Sequence, residues 1–339
     1  MAVPESVARD VSEAAAQART PAEFGVELSR QVGRLVPHDG YQLRGLDPGT
    51  GVGCLVVSGN GYRAAAGRRL EINEFTGRDL HPLAVLIGGE RRVGVLGTGA
   101  LEERRSERLH DIMAEDGFGS ELRVALVHAG VAWGALTLLR GSDCRPFSAA
   151  EAGHAQWLSA PLAVALKRFV AGRRPRPLGG HPTPGVVLVE ADDTVRTSAA
   201  TGRAWLGRLL PPTAVADDDA LHSNLWNIVY AARRNGGEAL TRIPTGGGWL
   251  AMHAQPLDGT VVVTIQPAAA DVLLPALAAW YDITPSERAV LHQVRLGLPT
   301  KQIATRLRLS AHTVNDHLKS IYRKTGVAGR DELLAGLTG

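Results

Sequence analysis

A row of side chains near the C-terminus could hydrogen-bond to nucleic acid. The segment after Ser310 predicts a helix whose apolar residues, Val314, Leu318 and Ile321, recur at i, i+4 and i+7 and so share an inward face. At about 100° per residue, the opposite side of this helix carries donors and acceptors that suit phosphates and base edges. These outward residues are His312, Thr313, Asn315, Asp316, Lys319, Arg323 and Lys324.

The net charge of the chain is concentrated in the same region. The whole sequence carries a net charge of +3, whereas residues 282–339 alone hold nine Lys or Arg against five Asp or Glu. Such a basic excess in one short segment favours contact with a phosphate backbone. From composition alone, a solvated helical face is the alternative interpretation. The spacing of the residues therefore has to decide between the two.

Two helices are predicted ahead of the polar one. A capping box that begins at Thr284 predicts a helix over 285–296, and after a glycine a second helix is predicted over 299–307. A short turn then leads to Ser310, whose hydroxyl can cap the polar helix. Two short helices joined by a tight turn, the second with a donor-rich outer face, are the arrangement with which a helix-turn-helix protein reads the major groove.

The same stretch, from Ile283 to Val327, resembles the DNA-binding domain of LuxR-type transcriptional regulators. The motifs that carry the resemblance are Thr284-Pro285, Glu287-Arg288, Lys301, Ile303-Ala304, Thr313-Val314, His317, Lys324 and Gly326-Val327. The resemblance implies phosphate or backbone contacts from Thr300, Lys301 and Lys324. It implies base-edge contacts from Asn315, Asp316 and Lys319. It also implies that a fourth helix, over about 331–337, pairs with its twin in a homodimer.

Two α+β units are predicted ahead of this domain. A helix, two strands, a hairpin that turns at Ala129-Gly130 and a final long helix resemble a GAF sensor domain. After a Pro/Gly-rich linker, a strand, an Asp-rich turn, helices and two paired strands resemble a shortened PAS domain. The fold class is therefore multidomain, with an α+β GAF-like domain, an α+β PAS-like domain and an all-α four-helix LuxR-type helix-turn-helix domain. The predicted bounds are 1–170 for the GAF-like domain, 171–185 for the linker, 186–268 for the PAS-like domain, 269–281 for a linking helix and 282–339 for the helix-turn-helix domain.

The resemblance to GAF domains implies a pocket for a small effector above the first sheet. Tyr41, Tyr62 and Trp133 are the candidate lining residues, because aromatic side chains offer a large surface with a polar edge. A place in the structural core is the alternative for Trp133. The histidines are scattered without metal-ligand spacing, and neither Cys54 nor Cys144 lies in a CxxC motif. No metal and no cofactor are therefore predicted.

These features together predict a sequence-specific transcriptional regulator. Its expected partners are double-stranded DNA, a second copy of the chain and a small effector, bound by the first domain, that tunes DNA binding. Motifs such as GxxxxGK[ST] and HExxH are absent from the sequence, so the protein is predicted not to be an enzyme and no catalytic residue is assigned.

Two alternative modes of regulation are also considered. Control by a phosphorelay is disfavoured, because the sequence has no lysine between Lys167 and Lys301 for a receiver domain in the middle. A regulator whose sensor-like domains are purely structural is the other alternative. No apolar stretch approaches the roughly 18 residues of a membrane span, and the N-terminal residues lack a secretory core, which predicts a cytoplasmic location without membrane contact.

Overall fold

The computed structural model describes residues 3–176, 183–210, 217–246 and 248–337. Within these ranges the chain forms two five-stranded antiparallel sheets, each with its own helices, followed by a group of helices toward the C-terminus. This is the combination of two α+β units and an all-α unit that the sequence predicts. Positions 177–182 of the expected linker lie outside the described residues.

The first α+β unit contains a sheet with a hairpin at its centre. Its elements are α1 (Val3–Gln17), α2 (Pro21–Val32), β1 (Gly40–Leu46), β2 (Gly53–Gly59), α3 (Ala66–Phe75), α4 (Leu83–Gly88), β3 (Val93–Leu96), β4 (Phe118–His128), β5 (Val131–Gly141) and α5 (Ala149–Ala171). The strands are hydrogen-bonded in the order β2-β1-β5-β4-β3. Between β4 and β5, Ala129 and Gly130 have positive φ angles of 51° and 77°, as a two-residue hairpin turn requires.

Helices α2 and α5 pack against one face of this sheet, and α1 packs on both of these helices. A capping box of Ser148 and Glu151 starts α5, which runs for 23 residues along the sheet. Phe24 of α2 stacks on Phe169 of α5 with ring centroids 4.6 Å apart. The apolar residues between helices and sheet are almost completely removed from water, so this layer is the main core of the unit.

The second α+β unit repeats the strand order of the first. Its elements are β6 (Gly185–Val189), β7 (Val195–Ser198), α6 (Ala199–Gly207), α7 (Asp218–His222), α8 (Trp226–Asn235), β8 (Ala239–Thr245), β9 (Gly248–Leu257) and β10 (Thr260–Pro267). The strands are hydrogen-bonded in the order β7-β6-β10-β9-β8. Val187, Met252 and Val263 are fully buried beneath α8, which gives this unit a core of its own.

A buried ion pair joins the two sheet units. The guanidinium of Arg242, on β8, lies 2.8 Å from the Asp47 carboxylate, and the side chains are 7% and 0% exposed. The Nε of Arg242 also donates to the carbonyl of Val272, at the start of the helix that follows the second sheet. A buried charge is tolerated when it is paired and hydrogen-bonded, and removal of either partner would leave the other uncompensated. Arg242 therefore ties three parts of the chain together.

The C-terminal helices are α9 (Ala270–Trp280), α10 (Pro285–Arg295), α11 (Thr300–Leu307), α12 (Ala311–Thr325) and α13 (Arg330–Leu337). The predicted capping box is present at the start of α10, where Thr284 and Glu287 cap each other's backbone amides. Each helix begins and ends within about two residues of its expected bounds. Helix α9 connects the second sheet to the other four.

Candidate nucleic-acid interface

Helices α11 and α12 are held together by apolar residues and a tight turn. Ile303 of α11 and Val314 and Ile321 of α12 are fully buried. Arg308 ends α11 in the left-handed conformation, with φ 56° and ψ 41°, and so turns the chain toward Ser310. The inward face of α12 is the one that the apolar spacing predicts, which leaves its polar face outward.

The first turns of both helices present hydrogen-bonding groups. The Oγ of Ser310 accepts from the Thr313 amide at 3.0 Å, and the two hydroxyls lie 2.8 Å apart. Helix α11 has no side-chain cap, and Thr300 and the exposed Lys301 are its first two residues. Uncapped amides at the positive end of a helix dipole attract anions. A phosphate group at this position would be attracted by the dipole of α11 and by the ammonium of Lys301.

The outward side of α12 is accessible to solvent along its length. The side chains of His312 and Asp316 are 86% and 55% exposed, and their Nε2 and Oδ2 atoms lie 3.4 Å apart. Asn315, Lys319 and Arg323 are exposed on the same helix. These five side chains form one continuous polar surface, called the α12 outer face below.

Lys324 lies apart from that surface and is paired inside the domain. Its Nζ lies 2.6 Å from Glu287 Oε2 and donates to the carbonyl of Asp282, also at 2.6 Å. Burial alone would raise the pKa of Glu287, but hydrogen bonds from Lys324, Ser320 and the Thr284 amide outweigh it and lower the pKa from 4.5 to about 2. The Lys324 ammonium thus fastens the end of α12 to the start of α10.

The α12 outer face lies within a stretch of sequence that matches a known protein family. Residues 282–335 match the family model described as bacterial regulatory proteins, luxR family. These residues form a LuxR-family helix-turn-helix domain. The LuxR-family domain contains α10 to α13, and the resemblance drawn from the sequence motifs is confirmed.

Curated relatives of the LuxR-family domain are named HTH-type transcriptional regulators. One from Mycobacterium bovis and one from Mycobacterium tuberculosis are each 46% identical to this chain over 55 residues. The matched segment is 16% of this chain and 6% of each relative. The likeness therefore concerns the LuxR-family domain and leaves most of each relative unmatched.

Solved structures resemble a larger share of the chain at low identity. The bacteriophytochrome RpBphP3 from R. palustris has a TM-score of 0.36 and 12% identity, over 78% of this chain and 62% of that one. Its chromophore-binding domain has a TM-score of 0.32 and 11% identity, over 49% and 60%. Both TM-scores are below 0.5, so no conclusion is drawn from these two structures. The α+β fold is assigned from the strand order of the two sheet units themselves.

The three expected effector-pocket residues have different surroundings. Tyr41 lies under α2, where its hydroxyl is 2.9 Å from the position that a Cβ on Gly25 would take. Trp133 packs against Trp280 of α9. Tyr62 belongs to a separate cluster and donates a hydrogen bond to the buried carboxylate of Glu121. Two of the three are thus in the core beneath the helices, and the third joins a group of charged residues.

That charged group was not expected from the sequence. Arg108 lies 2.8 Å from Glu121 and 3.2 Å from Asp79, and Arg123 lies 3.1 Å from Asp79 and 2.7 Å from Glu74. Burial would raise the pKa of Glu121, but the charges of Arg108 and Arg123 outweigh it and lower that pKa. Side chains alternate between the two faces of a strand, so Glu121 and Arg123 of β4 share one face. This spacing is the sequence signal from which their proximity could have been predicted.

Two other features of the described residues bear on function. No group of three or more His, Cys, Asp or Glu side chains that could hold a metal ion occurs among them. The helices in the described ranges are all too short or too polar to cross a membrane.

Proposed function

We propose that the protein is a sequence-specific transcriptional regulator that binds double-stranded DNA as a homodimer in the cytoplasm. The observation that carries this proposal is the exposed α12 outer face on a LuxR-family domain, with the uncapped start of α11 beside it. A helix with such a face can read base edges while the neighbouring helix end contacts a phosphate. The proposal includes no catalytic step.

We assign separate roles to the polar residues of the two helices. Asn315, Asp316 and Lys319 read base edges, since Asn can pair with adenine and a carboxylate can accept from cytosine N4. The residues proposed to contact phosphates or to orient the helix at the groove are Thr300, Lys301, Ser310, His312, Thr313 and Arg323. Lys324 contributes by holding α12 in place, because its ammonium is already paired with Glu287.

In this proposal the units upstream of the LuxR-family domain regulate it. Residues 1–170 form a GAF-like sensor domain, 171–185 a linker, 186–268 a PAS-like domain and 269–281 a linking helix, and residues 282–339 bind DNA. A small effector bound by the first domain shifts the population of dimer arrangements and so changes how two α12 helices match their half-sites.

A second mode is favoured by the buried charges of the first unit. The ion pairs of Arg108 and Arg123 occupy the space next to Tyr62, which was predicted as a lining residue of the effector pocket. A domain whose interior is filled by its own ion pairs can serve as a structural platform. In this mode the protein regulates transcription without a bound effector.

The proposed function is tested by selection of DNA sequences with the full-length protein at near-physiological salt and without added ligand. A two-fold symmetric site with half-site centres about 34–36 Å apart is the expected product. The Asn315→Ala variant should relax the preference at one position in each half-site, while Gln302→Ala, on the exposed side of α11, is the matched control. No enriched sequence with the full-length protein, and none with residues 271–339 alone, would refute a sequence-specific regulator.

A further inference from the structure

A cleft lies between the two α+β units. Its cavity of about 270 Å³ is lined on one side by the start of α3 and on the other by the connection of β6 to β7, by α7 and by the start of α8. Pockets for drug-sized ligands measure about 300–1,000 Å³, so this cavity suits a smaller metabolite. A molecule bound in the cleft would contact both units at once.

The wall on the α3 side presents backbone donors. Ala64 and Ala65 line the cavity immediately before α3, which begins without a side-chain cap. Among the described residues, no carbonyl accepts a hydrogen bond from either of these two amides. Unpaired amides at the positive end of a helix dipole attract an anionic group.

Arg68, in the first turn of α3, adds a cation to the same wall. Its side chain is 45% exposed, and its Nη1 lies 3.3 Å from a carboxylate oxygen of Asp193. Asp193 has closer partners in Arg233 and Tyr230, at 2.5 Å and 2.7 Å. The Asp193 carboxylate therefore keeps two hydrogen bonds when the Arg68 guanidinium turns toward a ligand.

Trp226, at the start of α8, directs its indole N–H into the cleft. The residue is 6% exposed and lines the cavity, and its Nε1 donates to no described residue while it remains open to solvent. The adjoining Cδ1 atom lies 3.8 Å from the position that a Cβ on Gly67 would take, beside Arg68. His222 packs edge-on against the indole with ring centroids 6.4 Å apart and so fixes its orientation. Because a buried indole N–H usually has a hydrogen-bond partner, this one is suited to an acceptor on a ligand.

Asp219 supplies the opposite charge on the α7 side. It lines the cavity, is exposed, and forms no ion pair with any residue in the described ranges. Burial lowers the pKa of the neighbouring His222, so the imidazole is neutral near pH 7 and leaves the Asp219 charge in place. The cleft thus has hydrogen-bond donors on one wall and an unpaired carboxylate on the other.

We propose that this cleft binds a free α-amino acid. The carboxylate of the ligand accepts hydrogen bonds from the α3 amides, Arg68 and the indole N–H of Trp226. Its ammonium pairs with Asp219. This inference rests on the proposed function, in which a small effector acts through the first domain, and it names the class of that effector and its place beside α3. Because the ligand joins the two units, its binding favours the arrangements in which they are held together.

Calorimetric titration of the full-length protein with each proteinogenic L-amino acid, in the absence of DNA, tests the site. At least one amino acid should bind. Its N-acetyl derivative, which lacks the ammonium, and its carboxamide, which lacks the carboxylate, should each bind more weakly by a factor of about 10 or more. If no amino acid binds, or if both derivatives bind as well as the parent compound, the inference is wrong.

Three variants assign the binding to the cleft. Arg68→Gln and Asp219→Asn each remove one charged partner and should weaken binding of the amino acid by a factor on the order of 10. Trp226→Phe keeps an aromatic ring and removes the N–H, so it should weaken binding by a factor of about 2–10. Unchanged binding in all three variants would place the amino acid elsewhere and overturn the inference.

Two neighbouring residues provide matched controls. Arg69 pairs with Glu115, Asp218 pairs with Arg203, and neither control residue lines the cavity. Arg69→Gln and Asp218→Asn should therefore bind the amino acid as the parent protein does. If binding follows this pattern but the protein selects no DNA sequence, the proposed function fails while the amino-acid site stands.

Discussion

The indole rings of Trp133 and Trp280 pack against each other with centroids 4.8 Å apart and an angle of 59° between their planes. Trp133 belongs to the first sheet and Trp280 to the end of α9, and neither side chain is more than 4% exposed. The ammonium of Lys167, on α5, lies 4.8 Å from the Trp133 ring and forms an ion pair with Asp282. The first α+β unit and the entry to the LuxR-family domain therefore share one core.

Replacement of Trp280 by alanine should destabilise this shared core. Trp280 is completely buried, so the truncation is expected to lower the free energy of unfolding by about 3–5 kcal/mol. Chemical denaturation measures the change. Trp157→Ala, on α5, is the matched control, because the Trp157 side chain is 45% exposed and its loss should cost far less. Equal effects of the two substitutions would contradict the assigned packing.

Two lysines of α12 should respond differently to the same substitution. Lys324→Gln leaves the Glu287 carboxylate without its ammonium partner and should lower the free energy of unfolding by about 1–3 kcal/mol. Lys319→Gln should leave stability unchanged and weaken binding to the selected DNA by about 1–3 kcal/mol, since its side chain is exposed on the α12 outer face. Thermal unfolding and DNA titrations of both variants separate the two roles.

The stability of the LuxR-family domain should depend on pH through Glu287. Its pKa is lowered from 4.5 to about 2 in the folded chain, so the stabilisation is complete above pH 4.5 and is lost as the pH falls toward 2. Glu287→Gln should reduce this acid sensitivity. The measurement is the difference between the denaturation midpoints at pH 6 and pH 3. The same difference in the variant as in the parent protein would show that other carboxylates determine the acid sensitivity.

Removal of one charge from the buried network should be costly. Arg108→Met removes one of the two arginines that pair with both Glu121 and Asp79, and about 3–5 kcal/mol of stability should be lost. Arg105→Met replaces an exposed arginine three residues earlier and serves as the control. Urea denaturation of both variants tests the assignment, which requires a clear difference between them.

The helix-turn-helix region could be predicted closely from sequence because its signals are local. Capping at Thr284 and Ser310 and the spacing of Val314, Leu318 and Ile321 depend only on neighbouring residues. The hairpin at Ala129 followed from the same kind of signal. These features needed no knowledge of distant contacts.

The features that sequence patterns missed depend on contacts between distant residues. Helix α1 is polar on much of its surface, and only its packing on α5 identifies it as part of the first unit. Strand β8 lies at the edge of its sheet and is stabilised by Arg242, whose partner Asp47 is 195 residues away. The buried network joins Asp79 of a loop, Arg108 of the short helix Arg108–Met113 and Glu121 of β4, and no sequence periodicity links these three positions.

The contact between β2 and β8 has a consequence for dissection of the chain. Each is the outermost strand of its sheet, and they meet where the Thr241 hydroxyl of β8 donates to the Gly53 carbonyl of β2. The Gly53 amide donates to Asn227 on the neighbouring helix α8. An uncovered edge strand offers unpaired backbone groups that template pairing with other chains. A cut between the two sheets would expose such an edge on both fragments and promote their aggregation. The two sheet units therefore shield each other from self-association and should be expressed as one piece.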